Sequence, residues 1–535
     1  MQLKGLRVLL PRHELQLLQS IRDHYVQLES STAQRASYAQ PSEERGSLTI
    51  TDCPLLGGSV LYTAFLGPLS KFPGPRLRAL TPLPDLLTVC SGNDAEAAIR
   101  LHASYGPVVR VAPNKLSFAG GRSWKEIHGF RKPGEAPILK DHTRYSKPFN
   151  GVASLVTETD PAVHARQRKL LSHSFADRTL KELEPLLQHW ITLFRCKLEE
   201  RMRSGEKVDL VKWFNCTTFD IMGDLAFNES LGMLENGEYS DWVKAIFGSV
   251  KVLTLIRAVK TTHWLVDMLA NEFLVKSPRV QKQGALHWNY AKQRVDRRLA
   301  RRPERTDLWT NIVKKRDEGE DGLSTEEQYS NASAFMIAGT ETTATALSGT
   351  VYYLLRNPRY MEKLVQEIRT AHKRPDEITM ESTQQLKYQA VLKEGLRMYP
   401  PVPIALPRII PKDGVIIEGE FVPGGTVVGV DQMAVHRSEA LYHQPNEFRP
   451  ERWLAEDPTY QNDCLTSMEP FSTGSQNCIG KNLAWHEMRL ILAATLHNFD
   501  LHLCEESEDW EKQKVYTFWE KIPLWVTLTP AQQKE

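Results

Sequence analysis

Between Ala332 and Leu355 the chain carries one charged side chain, Glu341, and that sparsity constrains the fold more than any other feature. A helix that is apolar nearly all round must lie in a bilayer or inside a large core. The middle of this one reads Gly339-Thr340-Glu341-Thr342-Thr343, a polar knot that would sit at the bilayer centre, so burial inside a helical protein is the better fit. Ser324-Thr325-Glu326-Glu327 supplies a capping box for its start and Asn357-Pro358 a stop. At about 1.5 Å per residue the predicted helix is on the order of 45 Å long, enough to cross a whole domain. A chain of 535 residues with 41% hydrophobic and 25% charged side chains can enclose it. No repeat and no long Gly/Ser linker divides the sequence, which predicts one large domain or two fused lobes.

Most of the remaining pattern is helical. Leu180, Leu183, Leu187, Trp190, Leu193, Phe194 and Leu198 recur at helical spacing over 178–203, and 205–300 continues in the same style. A short hairpin is predicted from Val108-Val109-Arg110-Val111 and Leu116-Ser117-Phe118 around a Pro113-Asn114 turn, and a second β-rich piece over 414–430. The basic run Arg294, Arg297, Arg298, Arg301 and Arg302 reads as a solvated helix face.

Residues 1–52 mix charges with isolated leucines, contain no secretory signal pattern, and read as an N-terminal leader. Residues 53–70 have no charge but include Pro54, Gly57, Gly58, Gly67 and Pro68, which makes them a short candidate membrane anchor; a buried or interfacial loop fits equally well. Lys71-Phe72-Pro73-Gly74-Pro75 then stiffens the exit into the soluble part. The net charge of +2 gives no electrostatic case for nucleic acid. Seven scattered cysteines without a Cys-x-x-Cys pair indicate a reducing compartment, with neither a disulfide framework nor a zinc site.

One of those cysteines has unusual surroundings. Phe471-Ser472-Thr473-Gly474-Ser475-Gln476-Asn477-Cys478-Ile479-Gly480 leads into a helical pattern from Lys481 to Leu490. A thiolate at such a loop-to-helix junction is stabilised by backbone N–H groups and by the positive helix end, while glycines let the backbone approach a flat cofactor. These are the requirements of a haem-iron thiolate ligand. A lone cysteine is more commonly a buried structural residue; the Phe-x-x-Gly and Cys-x-Gly spacing favours the ligand.

With these segments the chain resembles the cytochrome P-450 superfamily over about residues 70–530. The resemblance implies a mainly α fold, with a large helical lobe, a smaller β-rich lobe, and haem b between the long central helix and the cysteine loop, in a haem domain spanning 71–530. It makes Cys478 the axial iron ligand, flanked by Phe471, Gly474 and Gly480. Ala338-Gly339-Thr340-Glu341-Thr342-Thr343 is similar to the family's oxygen-activating motif, with Thr342 and Glu341 as the catalytic pair. There the Thr342 hydroxyl can reach back to the Ala338 carbonyl, and Glu341 can relay protons from solvent. Glu394-Gly395-Leu396-Arg397 and Phe448-Arg449-Pro450-Glu451-Arg452-Trp453 resemble the segments that give a buried Glu394–Arg397–Arg452 support cluster. His164-Ala165-Arg166-Gln167-Arg168 stands at the family's propionate-binding helix, with His164 and Arg168 as donors and Arg408 as a further partner. Gln476 departs from the pattern, because it replaces a propionate-binding arginine with a neutral amide.

Substrate contacts implied by the resemblance are Phe335, Ala338, Ile404, Ala405, Leu406 and Phe518, an apolar set that suits a lipophilic small molecule. The expected activity is insertion of one oxygen atom from O2, as hydroxylation, epoxidation or desaturation. No flavin domain is recognisable, so electrons are expected from NADPH through a separate cytochrome P-450 reductase, with cytochrome b5 as a further candidate donor, docking near Lys481, Arg489 and Arg449. Pro68-Leu69-Ser70-Lys71-Phe72-Pro73-Gly74-Pro75 and Lys481-Asn482-Leu483-Ala484 are closest in style to fungal microsomal members that tailor secondary metabolites. This implies an endoplasmic-reticulum membrane surface with the catalytic domain facing the cytosol. A haem-thiolate isomerase or dehydratase that does not use O2, and a haem-binding protein without activity, are the competing readings; the intact Glu341–Thr342 pair argues against the first. A zinc protease is excluded, because His486-Glu487-Met488-Arg489-Leu490 lacks the second histidine.

Overall fold

The computed structural model describes residues 52–145, 147, 150–260, 275–301, 305, 307–310, 322–387 and 389–532. The leader over 1–51, Arg302 and Tyr388 lie outside the described residues. The helices that position the site are α1 (Asp52–Phe65), α2 (Pro161–Ser172), α3 (Glu184–Ser204), α4 (Leu210–Phe227), α5 (Asp241–Lys260), α6 (Pro278–Ala300), α7 (Thr325–Ala338), α8 (Glu341–Leu355), α9 (Gln389–Met398) and α10 (Lys481–Asn498).

The central helix starts where the sequence predicts. Glu327 N–H donates to Ser324 Oγ at 3.2 Å and Ser324 N–H to Glu327 Oε2 at 2.9 Å, a reciprocal capping box. It does not run unbroken to Asn357. The helical hydrogen-bond pattern is interrupted at Gly339–Thr340, whose backbone stays in the right-handed region, and resumes in α8, so the expected single rod is two helices of 14 and 15 residues in series. The cause is a run of hydroxyls that bond back into the helix. Thr340 Oγ1 donates to the Met336 carbonyl at 2.6 Å, Thr342 Oγ1 to Ala338 at 2.6 Å and Thr345 Oγ1 to Glu341 at 2.6 Å, so three carbonyls on either side of the break accept a side-chain hydroxyl. Gly339 sits at the break because α4 leaves no room there: a Cβ would lie 2.9 Å from Met222 Sδ.

The helical lobe buries one continuous core that includes Phe194, Phe214, Phe219, Leu347, Val351 and Leu490. Contact between α8 and α9 is closest where glycines face larger groups. A Cβ on Gly349 would come within 2.5 Å of the Tyr399 ring, and one on Gly395 within 2.0 Å of Thr350 Oγ1. A second, smaller core of Leu116, Phe118, Ile127, Ile417, Val422 and Val428 belongs to the β-rich lobe. Both predicted β regions form, but they separate. β1 (Val108–Ala112) and β2 (Lys115–Phe118) make the antiparallel hairpin; β8 (Val427–Val430) pairs parallel to β2, with Lys115 opposite Val427 and Phe118 opposite Val430. β5 (Arg408–Ile409) and β3 (Leu139–Lys140) complete that sheet in the order β1-β2-β8-β5-β3. β6 (Val415–Ile417) and β7 (Glu420–Val422) form their own hairpin. Near the C-terminus β9 (Phe499–Leu503), β12 (Trp525–Pro530) and β4 (Val208–Asp209) make one small sheet, and β10 (Val515–Tyr516) with β11 (Phe518–Trp519) a tight hairpin. This is the mainly α, two-lobed architecture expected from the sequence.

Two expectations about the surface need restating. The arginine run on and after α6 is a solvated face only in part. Arg294, Arg297 and Arg301 converge on Glu229 at 2.9, 2.8 and 3.1 Å, and Arg298 pairs with Asp307 at 2.9 Å, so Arg294 and Arg298 are buried in ion pairs while Arg297 and Arg301 are paired but exposed. The 53–70 segment is helical only to Phe65 and then turns, with Leu69 and Phe72 buried. Among the described residues no helix is long and apolar enough to cross a membrane.

The α8–α9 contact yields a direct expectation. Gly395→Ala places a methyl group where Thr350 stands, and overpacking of this kind costs about 1–3 kcal/mol. Chemical denaturation should therefore show an earlier unfolding midpoint, and an unchanged midpoint would contradict the packing described.

Candidate active site

The loop that carries Cys478 is held by its backbone. Cys478 N–H donates to the Phe471 carbonyl at 2.8 Å, and Ser472 (φ 57°) and Gly474 (φ 77°) both take left-handed conformations to close the turn. Gly474 meets a requirement different from cofactor approach: a Cβ there would lie 2.1 Å from the His128 carbonyl, so this glycine seats the loop against the residues after Trp124. Gly480 is open, since a Cβ would meet only Cys478 Sγ at 3.9 Å. The Phe471 ring packs beside Trp485 on α10 at 5.9 Å, with Lys481 over it at 5.8 Å. Cys478 is exposed, and α10 begins three residues later. Desolvation by the surrounding protein pushes the thiol up, while the Gly480 N–H, Arg168 and Lys481 oppose it and favour the thiolate.

Basic groups gather along one side of this loop. Arg168 on α2 donates from Nη1 to the Asn477 carbonyl at 2.5 Å and from Nη2 to Asn477 Oδ1 at 2.8 Å, and Arg408 on β5 donates to Gln476 Oε1. His164, Lys140 and His128 are buried in the same neighbourhood. Burial, then Lys140, Arg168 and Arg408, bring His164 down to about 4, and burial with Arg408 holds His128 well below its ordinary value. Burial and Arg408 bring Lys140 down to about 7, with Glu158 as the one carboxylate opposing. The fixed positive charge here is that of Arg168 and Arg408, and burial and this charge together keep the two imidazoles neutral. Among the described residues, both His128 ring nitrogens and Arg408 Nε have no hydrogen-bond partner. A site of this kind fits a rigid dianion lying beside the thiol, as a haem with two propionates would. Of the sequence-predicted set, His164, Arg168, Arg408 and Gln476 come together here. Lys140 and His128 were missed, since neither lies in a motif.

The support cluster is fully buried. Arg397 donates to both Glu394 oxygens at 2.9 and 2.7 Å, and Arg452 Nε to Oε1 at 3.1 Å, all three side chains having no exposed surface. Trp453 Nε1 and Arg449 N–H complete the shell at 2.9 and 2.8 Å. Burial alone would raise the Glu394 carboxyl, but Arg397, Arg452 and these donors outweigh it and hold it below the usual carboxylate range. Arg397 continues to the carbonyls of His436, Pro445 and Glu447 at 2.7, 2.6 and 2.9 Å, so the network pins the segment that leads to the cysteine loop.

On the other side, Ala338 is exposed and Thr342 half-buried. Glu341 does not stand open to solvent. It is buried in an ion pair with Lys521 at 2.7 Å, a partner 180 positions away that no spacing signals. The helix behind Cys478 and the broken helix pair meet at Glu487, which is buried on α10 and whose carboxyl is pushed up to about 8, the Thr343 hydroxyl only partly relieving it. Among the expected substrate contacts, Phe335 packs in the helical core, edge-on to Phe175 at 5.4 Å and beside Trp309. Ile404 packs on Ala95, Met433 and Val515, and Ala405, Leu406 and Phe518 are half-buried. Of the expected docking cations Lys481 is exposed, while Arg449 is engaged with Glu447 and Tyr360 and Arg489 lies over the Trp485 ring at 5.2 Å.

Residues 75–521 match the family profile described as cytochrome P-450. The chain is 45% identical over 479 residues to the cytochrome P-450 monooxygenase efuB of Hormonema carpetanum, covering 89% of this chain and 94% of that protein. It is 41% identical over 475 residues to the cytochrome P-450 monooxygenase astJ of Aspergillus oryzae (88% and 94%) and 40% identical over 484 residues to cpaH of the same species (90% and 92%). The chain belongs to the cytochrome P-450 family. It is an oxidoreductase of the monooxygenase kind, and membership implies a haem and a reductase that supplies electrons.

Two measurements follow from this geometry. Gln476→Arg adds a charged donor beside Arg408 and is expected to slow haem transfer to apomyoglobin; unchanged or faster transfer would contradict the role given to this position. Glu487 has a folded value above its unfolded one, so its stabilising contribution is present in acid and lost as pH rises from about 4.5 to about 8. Relative to Glu487→Gln, the parent should lose at most roughly 1.4 kcal/mol of stability per pH unit across that window. A flat difference between the two proteins would show that Glu487 is ionised throughout.

Proposed function

We propose that Cys478 is the axial thiolate of haem b and that the protein uses O2 to oxidise a lipophilic small molecule by hydroxylation, epoxidation or desaturation. The observation that carries this reading is the convergence of two guanidiniums, Arg168 and Arg408, on the cysteine loop through Asn477 and Gln476. When bound, haem supplies the oxygen-activating chemistry, with electron donation from sulfur favouring O–O cleavage. The chain supplies the rest. Arg168, Arg408, His164, Lys140 and His128 would hold the propionates, with Gln476 beside them. Phe471 and the open Gly480 border the proximal side.

Thr342 keeps its hydroxyl on the Ala338 carbonyl and so frees that turn of backbone to hold water beside the exposed Ala338. Glu341 is the group placed to pass protons toward Thr342. Glu394, Arg397 and Arg452 support the loop without taking part in chemistry. Ala338, Ala405, Leu406 and Phe518 are the substrate contacts that the exposure pattern still supports; Ile404 contributes through the packing behind them.

Electrons come from NADPH through a cytochrome P-450 reductase, with cytochrome b5 as a second donor, docked near Lys481. An endoplasmic-reticulum membrane surface, with the catalytic domain on the cytosolic side, fits the exposed Val60, Leu61, Phe65 and Leu66 of α1 and its exit, and Ile416 and Phe421 of the β6–β7 hairpin. Lys71 pairs with Glu420 at 2.6 Å and joins the two. The substrate class proposed is a secondary metabolite scaffold such as a terpenoid, polyketide or alkaloid.

Reduced protein under carbon monoxide is expected to show the red-shifted Soret band of a thiolate-ligated haem, and Cys478→Ser to lose it while other cysteine variants keep it. An undiminished band in Cys478→Ser would overturn the ligand assignment.

A further inference from the structure

Residues 517–521, in and just after the C-terminal hairpin, make polar contacts that point in two directions. Thr517 Oγ1 meets Thr254 Oγ1 on α5 at 2.8 Å, and Glu520 pairs with Lys251 on the same helix at 2.6 Å. The next residue, Lys521, turns inward. Its Nζ lies 2.7 Å from Glu341 Oε1 and 2.6 Å from Thr345 Oγ1, with side-chain exposures of 5% and 8% for Lys521 and Glu341. Glu341 Oε2 is buried with no hydrogen-bond partner among the described residues. The two tyrosines that feel the Glu341 charge, Tyr239 and Tyr399, have their hydroxyls engaged with Asn215 at 3.1 Å and Gln513 at 2.8 Å. Lys521 is therefore the cation on which the Glu341 carboxylate depends for its place.

A buried acid held by one oxygen can reorient about that contact, and the contact decides which way the free oxygen faces. The loop that carries the lysine is fixed at its base by the Trp519 ring, stacked on Tyr399 at 4.3 Å and bonded to the Pro400 carbonyl at 2.8 Å. Its outer contacts ride on α5, so a shift of that helix moves Glu520 and Lys521 together.

We infer that Lys521 is a positioning residue of the oxygen reaction: it holds Glu341 for proton delivery past Thr342 and ties that acid, through Glu520 and Thr517, to helix α5. The inference rests on the monooxygenase reading above, because it concerns protons that enter that reaction. Proton delivery here means that Glu341 takes a proton from water, gives it up on the Thr342 side, and returns to the carboxylate paired with Lys521.

The test uses the full haem-loaded chain with a cytochrome P-450 reductase and NADPH, without added substrate. Lys521→Met should slow NADPH oxidation by roughly tenfold, within the reach of a lost general acid–base contribution, and enlarge its solvent deuterium isotope effect. Lys521→Arg, which keeps the charge, should restore both. In a Glu341→Gln background Lys521→Met should have no further effect. Thermal unfolding supplies a readout independent of turnover: the Tm losses of Glu341→Gln and Lys521→Met should be far from additive in the double variant. Additive Tm losses, or a Lys521→Met protein with the parent isotope effect, would overturn the inference. If the parent shows no thiolate Soret band under carbon monoxide, the haem reading itself fails; if the band is present and the isotope effect does not move, only the role of Lys521 falls.

Discussion

Everything about the site depends on one buried carboxylate. Glu394 accepts from two guanidiniums, an indole and a backbone N–H, with no exposed surface on it, Arg397 or Arg452. Such a group is stable only because every lone pair is used, and removal of one partner leaves an uncompensated charge at a cost of about 3–5 kcal/mol. The reward is positional. Arg397 fastens the carbonyls of His436, Pro445 and Glu447 to α9, and α9 is locked to α8 through Gly395 and Gly349. The broken central helix and the segment entering the cysteine loop are thereby parts of one rigid unit.

On that frame the two sides of the site have opposite electrostatic characters. Around Cys478 the guanidiniums of Arg168 and Arg408 carry the positive charge, Lys140 is brought down to about 7, and the two buried imidazoles are held neutral by burial and by these cations. Around Thr342 the charges are matched, because Glu341 and Lys521 form a closed pair. On the proposed function, the arginines beside the thiol would orient an anionic cofactor, and the closed pair on the far side would hold the proton carrier without a net field. Gln476 fits this division. It lowers the charge at a place where Arg408 already donates, at the expense of one charge-assisted contact to a bound anion.

The parts of this arrangement that the sequence made legible are those encoded over short spans. The capping box, the hydroxyls that loosen the central helix, the Glu394–Arg397 pair and the cysteine loop all rest on contacts between residues a few positions apart, or on motifs that carry their own geometry. The break at Gly339–Thr340 was half visible: the Thr342 hydrogen bond was foreseen, the full interruption was not, since it needs Thr340 and Thr345 to act in concert and Met222 to crowd the glycine. What could not be read were pairings between distant segments. Lys521 with Glu341, the arginines of α6 with Glu229, and Lys140 and His128 beside Arg408 are ordinary residues until the fold brings them together. The inward packing of Phe335 was hidden for a related reason. An apolar residue on a buried helix has two sides to choose between, and composition does not say which one faces the core.

The central claim is that Cys478, set in a basic enclosure, binds haem iron through sulfur. Electron paramagnetic resonance of the resting ferric protein tests it most directly. The account predicts the rhombic low-spin signal of an iron with one thiolate ligand, absent from Cys478→Ser and retained in Cys216→Ser. A signal typical of nitrogen ligation alone in the parent protein, or one unaffected by replacement of Cys478, would contradict it.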